Sequence, residues 1–401
     1  MVGVDRAVNG ASDWAGSGLA SLTGPPDGPP DFTRAAVLTE ARRVTADIAR
    51  LIGVDGDAAT LLAGRAAILG LTRQGRVSAG GATRLLATTD GWSAIALPRP
   101  DDIAALPALL EADAVPADPW MALSRWAATR STEAVVDRAQ LLDIAAAGLG
   151  EATAAPPDVR PDGSATEPRR PDGLLVADLS SLWAGPLCAQ LLARAGAVVV
   201  KVESPVRPDG TRSGEPAFFN WMNFGKLSYA VDFDDDAKAL RQLITAADVV
   251  IEGSRPAALR RRALSADDIP PRQGRIWLRI TGYDGQPDRS AFGDDAAVAG
   301  GLVGTDADGP VFCGDAIADP LSGLEAARSV AQSLRRGGGE VIEVSMAQVA
   351  AGYAALPQAS SACDAPVARP QRPPPAPSAS PLGADNTAVR HIVSERLCAP
   401  C

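Results

Sequence analysis

The 401-residue sequence predicts an α/β protein, in which a smaller, mainly helical α+β domain precedes a doubly wound parallel sheet. Three observations predict it. From Gly173 onward, short Val/Ile-rich runs alternate with helix-patterned stretches. These runs are predominantly apolar, as in strands covered on both faces. Upstream of Gly150 the pattern is amphipathic helix, interrupted by one hairpin signal.

Taken in order, residues 1–34 are rich in Gly, Ser, Asp and Pro ("GPPDGPPD") and predict a mobile arm. Residues 35–150 predict the small domain. "AAVLTEARRVTADIARLIGV" has helical periodicity, and in "ATRLLATTDGWSAIALPRPDD" two apolar runs flank an Asp-Gly turn signal. Residues 151–172 ("EATAAPPDVRPDGSATEPRRPD") have linker composition. Residues 173–355 hold the strand runs "LLVADL", "AVVVKVE", "SYAVDF", "DVVIEG", "RIWLRITGY" and "EVIEVSM", separated by helices. Residues 356–401 form a Pro-rich, extended or disordered tail with one short helix, "ADNTAVRHIVSERL".

Composition excludes several functions. A net charge of −10 and a pI near 4.8 argue against nucleic-acid and membrane-surface binding, so an anionic ligand needs a local basic site. The start lacks the apolar core of a signal peptide, and no apolar run is long enough to span a bilayer. Five cysteines, an odd number in a long chain, predict reduced thiols and a cytoplasmic location. The closing "CAPC" lacks a second pair and reads as incidental. His391 is the only histidine and lies in the tail, which excludes Ser-His-Asp, Cys-His and His-rich metal chemistry.

The first strand–loop–helix, "LLVADLSSLWAGPLCAQLLARAG", offers one Gly-Pro where a dinucleotide site needs several close glycines, so NAD binding is disfavoured. Basic residues recur where strands or helices end: Lys201, Lys226, Arg255 and Arg260-Arg261-Arg262. They are phosphate-binding candidates, and equally ordinary partners for helix C-termini. Asp319 precedes Pro320 and a helical run. By spacing it is an N-cap with proline at N1, and the same geometry would hold a carboxylate nucleophile.

The ordered segments "DLSSLWAGPLCAQLLARAGAVVVKVESP", "NFGKLSYAVDF", "ADVVIEGSRPAAL", "ITGYDGQ" and "FCGDAIADPLSGLEAARSVAQSLRRGGGEVIEVSM" resemble the type III CoA-transferase family, which includes α-methylacyl-CoA racemases. The resemblance implies a Rossmann-like catalytic domain and no tightly bound cofactor. Coenzyme A or an acyl-CoA would be substrate, together with a carboxylic acid, and the assembly would be a homodimer. It makes Asp319, in a D-x-x-x-G element with Gly323, the nucleophile. It places CoA contacts at Leu182, Trp183, Ala184, Lys226, Gly253, Ser254, Arg255 and Arg261. Gly80 and Gly81 resemble the family's glycine-rich active-site loop, and Asp294 stands where the racemase branch has histidine. The glycine loop comes before the sheet domain here, whereas in the family it follows. That reordering keeps a non-catalytic acyl-CoA-binding homologue open as an alternative, and the resemblance to the racemase branch leaves a second, a racemase in which Asp294 and Asp319 would exchange the proton. Residues 35–150 would then be a support domain.

Overall fold

The computed structural model describes residues 10–253, 256–359 and 363–398. Helix α1 (Ala36–Ile52) buries Val37, Leu38, Ala41, Val44, Ile48 and Ile52 along one stripe and ends at Gly53, whose φ of 77° closes it. Helix α2 (Ala58–Leu69) starts at Asp57, whose carboxylate accepts from Thr60 N at 2.9 Å. The predicted hairpin is β1 (Thr83–Ala87) and β2 (Trp92–Ala96), antiparallel with Ala87 opposite Trp92. A third strand, β3 (Ala145–Gly148), joins β2, and short helices between Pro100 and Leu141 pack on this sheet through Leu106, Leu109, Leu123 and Val135.

The large sheet has seven strands: β4 (Asp158–Pro161), β5 (Leu175–Asp178), β6 (Val198–Glu203), β7 (Leu227–Ala230), β8 (Val249–Glu252), β9 (Ile276–Thr281) and β12 (Glu340–Ser345). A separate hairpin, β10 (Val303–Asp306) and β11 (Gly309–Phe312), precedes β12. The spatial order is β4-β12-β9-β8-β5-β6-β7, all parallel except β4. The chain builds outward from β5 to β7, then returns to place β8, β9 and β12 on the other side. The order therefore reverses between β5 and β8, and the crevice at their carboxyl ends is where such sheets bind ligands. Helices α3 (Ala184–Arg194) and α6 (Ala318–Arg336) cover one face with α1, and α7 (Asn386–Cys398) covers the other. Helix α4 (Pro216–Asn223) and helix α5 (Gly293–Ala299) flank the crevice loops. Among the described residues, no helix is long and apolar enough to cross a membrane.

Three expected boundaries differ. Within the expected mobile arm, residues 10–34 are structural: Trp14, Leu19, Leu22 and Phe32 are buried in the large core, and the Trp14 indole donates to Asp31 O at 3.0 Å. Proline- and glycine-rich composition marks bends here, and the few large apolar residues between them supply the packing. Helices α1 and α2, expected in the small domain, bury their apolar faces in the sheet domain's core. The expected linker contains β4, which pairs antiparallel with β12 at the sheet edge. Residues 372–380 do run without regular structure, as the proline content predicts.

Candidate active site

The loop after β5 is built by buried charge. The Asp178 carboxylate accepts from Ser180 N at 3.1 Å and from the Ser180 hydroxyl. The Lys201 ammonium donates to Ser180 O and to Asp209 Oδ2, the latter at 2.7 Å. Asp209 in turn accepts from Leu182 N at 3.1 Å. These bonds hold Leu182 at φ 72°, a backbone region that a branched side chain disfavours. Burial alone would raise the Asp178 carboxyl, but Lys226 and Lys201 hold it below its ordinary value. The loop delivers Trp183 and Ala184 to the start of α3. Gly253, after β8, lies against Ser180: a Cβ there would fall 2.8 Å from the Ser180 Cβ. The two loops of the switch point therefore touch.

Asp319 reaches this crevice from α6. The helix begins at Ala318 with Ile317 as N-cap, so Asp319 lies in the first turn but is not the cap, and Pro320 stands two positions further into the helix than expected. The preceding Ala316 sits at φ 42°, which turns the chain one residue before the cap. The spacing to Gly323 has a packing cause. A Cβ at Gly323 would lie 2.7 Å from Ala184 O and 3.0 Å from the Leu187 side chain, so glycine lets α6 cross α3 in close contact. Asp319 stands one turn before that crossing.

The Asp319 carboxylate is half-buried, and among the described residues no group hydrogen-bonds it. It packs against Gly293, where any Cβ would collide with Asp319 Oδ2 and Ala316 O. Burial, with Asp294, Asp295 and Asp315 nearby, pushes its carboxyl up to about 7, against the opposing pull of Arg65. Asp294 is pushed up to about 6 by burial and Asp315, and Asp295 to about 7 by burial.

The small domain does reach the site. Asp294 Oδ1 accepts from Ala316 N at 3.0 Å and its Oδ2 from the Thr83 hydroxyl at 3.2 Å, which clamps β1 to the loop before Asp319. Ser78 and Gly81 close a turn through a 2.8 Å bond, leaving Gly80 above Arg65. A Cβ at Gly80 would lie 3.7 Å from Arg65 Nη2 and 4.0 Å from Asp315 Oδ1. Arg65, on α2, donates from Nη1 to Asp315 Oδ1 at 2.6 Å, and its guanidinium lies 5.8 Å from both the Trp183 and Phe218 ring centres. Sequence reading missed Arg65. Its only signal is an arginine on the stripe of an otherwise apolar helix, "AATLLAGRAAIL".

The structure thus brings together Asp319, Asp294, Gly80 and Trp183, with Ala184 and Gly253 beside them. Leu182 is partly exposed on the same loop. Lys226 is a correction. Its ammonium is sealed in the core, donating to Asp178 Oδ2 at 2.9 Å, Asn223 Oδ1 at 3.0 Å and Pro186 O at 3.0 Å. All three protons are used, so it braces the loop and presents none to a phosphate. Arg261 is exposed just past the helix Pro256–Arg260. Ser254 and Arg255 lie outside the described residues.

The profile of CoA-transferase family III matches residues 171–384, more than half of the chain. The chain belongs to CoA-transferase family III. Among curated family members it is 34% identical over 212 residues to a probable fatty acyl-CoA transferase, Rv3272, of Mycobacterium tuberculosis, which covers 47% of this chain and 54% of that one. It is 30% identical over 203 residues to a succinyl-CoA–D-citramalate CoA-transferase of Chloroflexus aurantiacus, covering 45% of this chain and 50% of the relative. With a formyl-CoA:oxalate CoA-transferase of Rhodopseudomonas palustris it shares 32% over 180 residues, 41% of this chain and 42% of the other. The crystal structure of Rv3272 superposes with a TM-score of 0.42 at 31% identity, covering 47% of this chain and 57% of that one. The chain spans about half the length of these family III relatives.

Proposed function

We propose that this family III protein moves coenzyme A from an acyl-CoA to a carboxylic acid, with Asp319 as the nucleophile. The observation that carries the proposal is the Asp319 carboxylate at the strand-order switch point, which no group among the described residues hydrogen-bonds, between the Trp183 loop and the glycine turn of the small domain. An Asp319 oxygen attacks the thioester carbon, the C–S bond breaks, and a mixed anhydride forms as CoA thiolate leaves. The thiolate attacks the Asp319 acyl carbon, releases the donor acid and leaves an aspartyl-CoA thioester. The acceptor carboxylate then attacks that thioester carbon and expels the thiolate. Thiolate attack on the acceptor's carbonyl forms the new acyl-CoA and frees Asp319. No proton transfer at carbon and no redox step is required. Leu182, Trp183, Ala184 and Gly253 would face the CoA, with Arg261 at the outer edge.

The test is trapping. Incubation with an acyl-CoA panel, quenched with hydroxylamine, is expected to convert Asp319 to its hydroxamate, detected by peptide mass. Asp319→Asn is expected to abolish the label and reduce CoA transfer at least about a thousandfold. Transfer that survives this substitution would refute the assignment.

A further inference from the structure

Arg65 has a free edge. Its Nη1 is committed to Asp315 Oδ1 at 2.6 Å, while among the described residues Nε and Nη2 make no hydrogen bond. That edge is not sealed in the core, since the side chain keeps 26% exposure. The Trp183 and Phe218 rings, each 5.8 Å from the guanidinium carbon, hold it in place, and Gly80 passes over Nη2 with no side chain to cover it. Nε and Nη2 together form the side-on fork that pairs with both oxygens of one carboxylate. The buried Trp183 Nε1, on one of the two rings, also lacks an acceptor. The surroundings are otherwise hostile to an anion: Asp294, Asp315 and Asp319 all act electrostatically on Arg65, and Asp295 lies behind them.

We propose that Arg65 grips the non-reacting carboxylate of a dicarboxylic acceptor, and so sets the acceptor class. A carboxylate held by both oxygens in an arginine fork has its lone pairs engaged and is a poor attacker. The acid that reacts at the Asp319 thioester must therefore be a second group on the same molecule. A monocarboxylate entering this cluster has no cation left for it once its own carboxylate goes to the reaction. This inference rests on the CoA-transferase reading and deepens it.

The test uses the full chain with propionyl-CoA as donor, and compares succinate and glutarate with butyrate and valerate as acceptors. Wild type is expected to show a KM for the dicarboxylates at least about tenfold below that for the monocarboxylates of equal length. Arg65→Gln is expected to raise the dicarboxylate KM about 10- to 100-fold and leave the monocarboxylate KM within about twofold. It should also keep the hydroxylamine-trapped Asp319 adduct formed from propionyl-CoA when trapping is done well above pH 7, where the carboxylate is ionised even without the pull of Arg65. Should Arg65→Gln fail to fold, Arg65→Lys keeps the charge without the fork and is expected to lose part of the same discrimination. Equal KM changes for both acceptor classes, or no preference in wild type, would overturn the proposal. Absence of any Asp319 adduct in wild type with every acyl-CoA would instead overturn the transferase reading itself.

Discussion

A carboxylate attacks only as the anion, yet the immediate surroundings of Asp319 favour the acid. Its place in the first turn of α6 helps the anion through the helix dipole, but burial and three neighbouring carboxylates outweigh that and leave it at about 7. The reactive fraction therefore grows as pH rises through about 7, and kcat should show an acidic limb there. Asp294 offers a clean way to move that limb. An asparagine at this position keeps an oxygen for Ala316 N and can donate to the Thr83 hydroxyl, so the clamp survives while one negative charge is lost. Asp294→Asn is predicted to shift the limb to lower pH by a few tenths to about one unit. A kcat–pH profile with an unmoved limb, on a protein of unchanged thermal stability, would show that Asp294 does not act on the nucleophile.

At the scale of elements, the crossing of α3 and α6 places Asp319, and Gly323 permits that crossing. Gly323→Ala would drive a methyl toward Ala184 O and Leu187 in a buried helix interface, where overpacking costs about 1–3 kcal/mol. It should lower Tm and reduce transfer by displacing Asp319. Gly352 is the control: it is exposed, on the helix Met346–Ala354, and a Cβ there meets nothing within 4 Å. Gly352→Ala should raise stability by up to about 1 kcal/mol and leave transfer alone. Matching effects of the two substitutions in calorimetry would remove the crossing argument. Sequence legibility follows the same physics. The six Val/Ile-rich parallel strands declared themselves because both faces are buried. β3 ("AAAG") did not, since alanine and glycine carry no strand signature and pairing alone makes it a strand, and in the β10–β11 hairpin ("VGTD" and "GPVF") Gly, Asp and Pro interrupt the few strand-forming residues. Asp319 was legible as a helix start, but its exact turn depends on the backbone at Ala316. Lys226 misled because a charged residue near a strand resembles a ligand group until its buried partners are seen.

At the scale of the whole molecule, the matched family region starts at residue 171, but the core it needs does not. Trp14, Leu19, Leu22 and Phe32, with the inner faces of α1 and α2, share one cluster with α3, α6 and the sheet. Arg65 and Gly80 come from this same leading half, so the fold and the candidate site depend on it together. Removing a large buried side chain costs about 3–5 kcal/mol for an aromatic and 2–5 kcal/mol for a leucine. Losing four at once, about 10–20 kcal/mol, matches or exceeds the roughly 5–15 kcal/mol that holds a typical domain folded. Deletion of residues 1–34 is therefore predicted to abolish the cooperative thermal transition, and Trp14→Ala alone to lower Tm by several degrees. The competing outcome is a truncated chain that melts cooperatively within a few degrees of the full one. That would mean the leading segment lies on the core without contributing to it, as its proline- and glycine-rich composition first implies. Complementation separates the two further. If the leading half supplies core, separately produced residues 1–170 and 171–401 should regain a cooperative transition only when mixed, and Asp319 adduct formation should return with it.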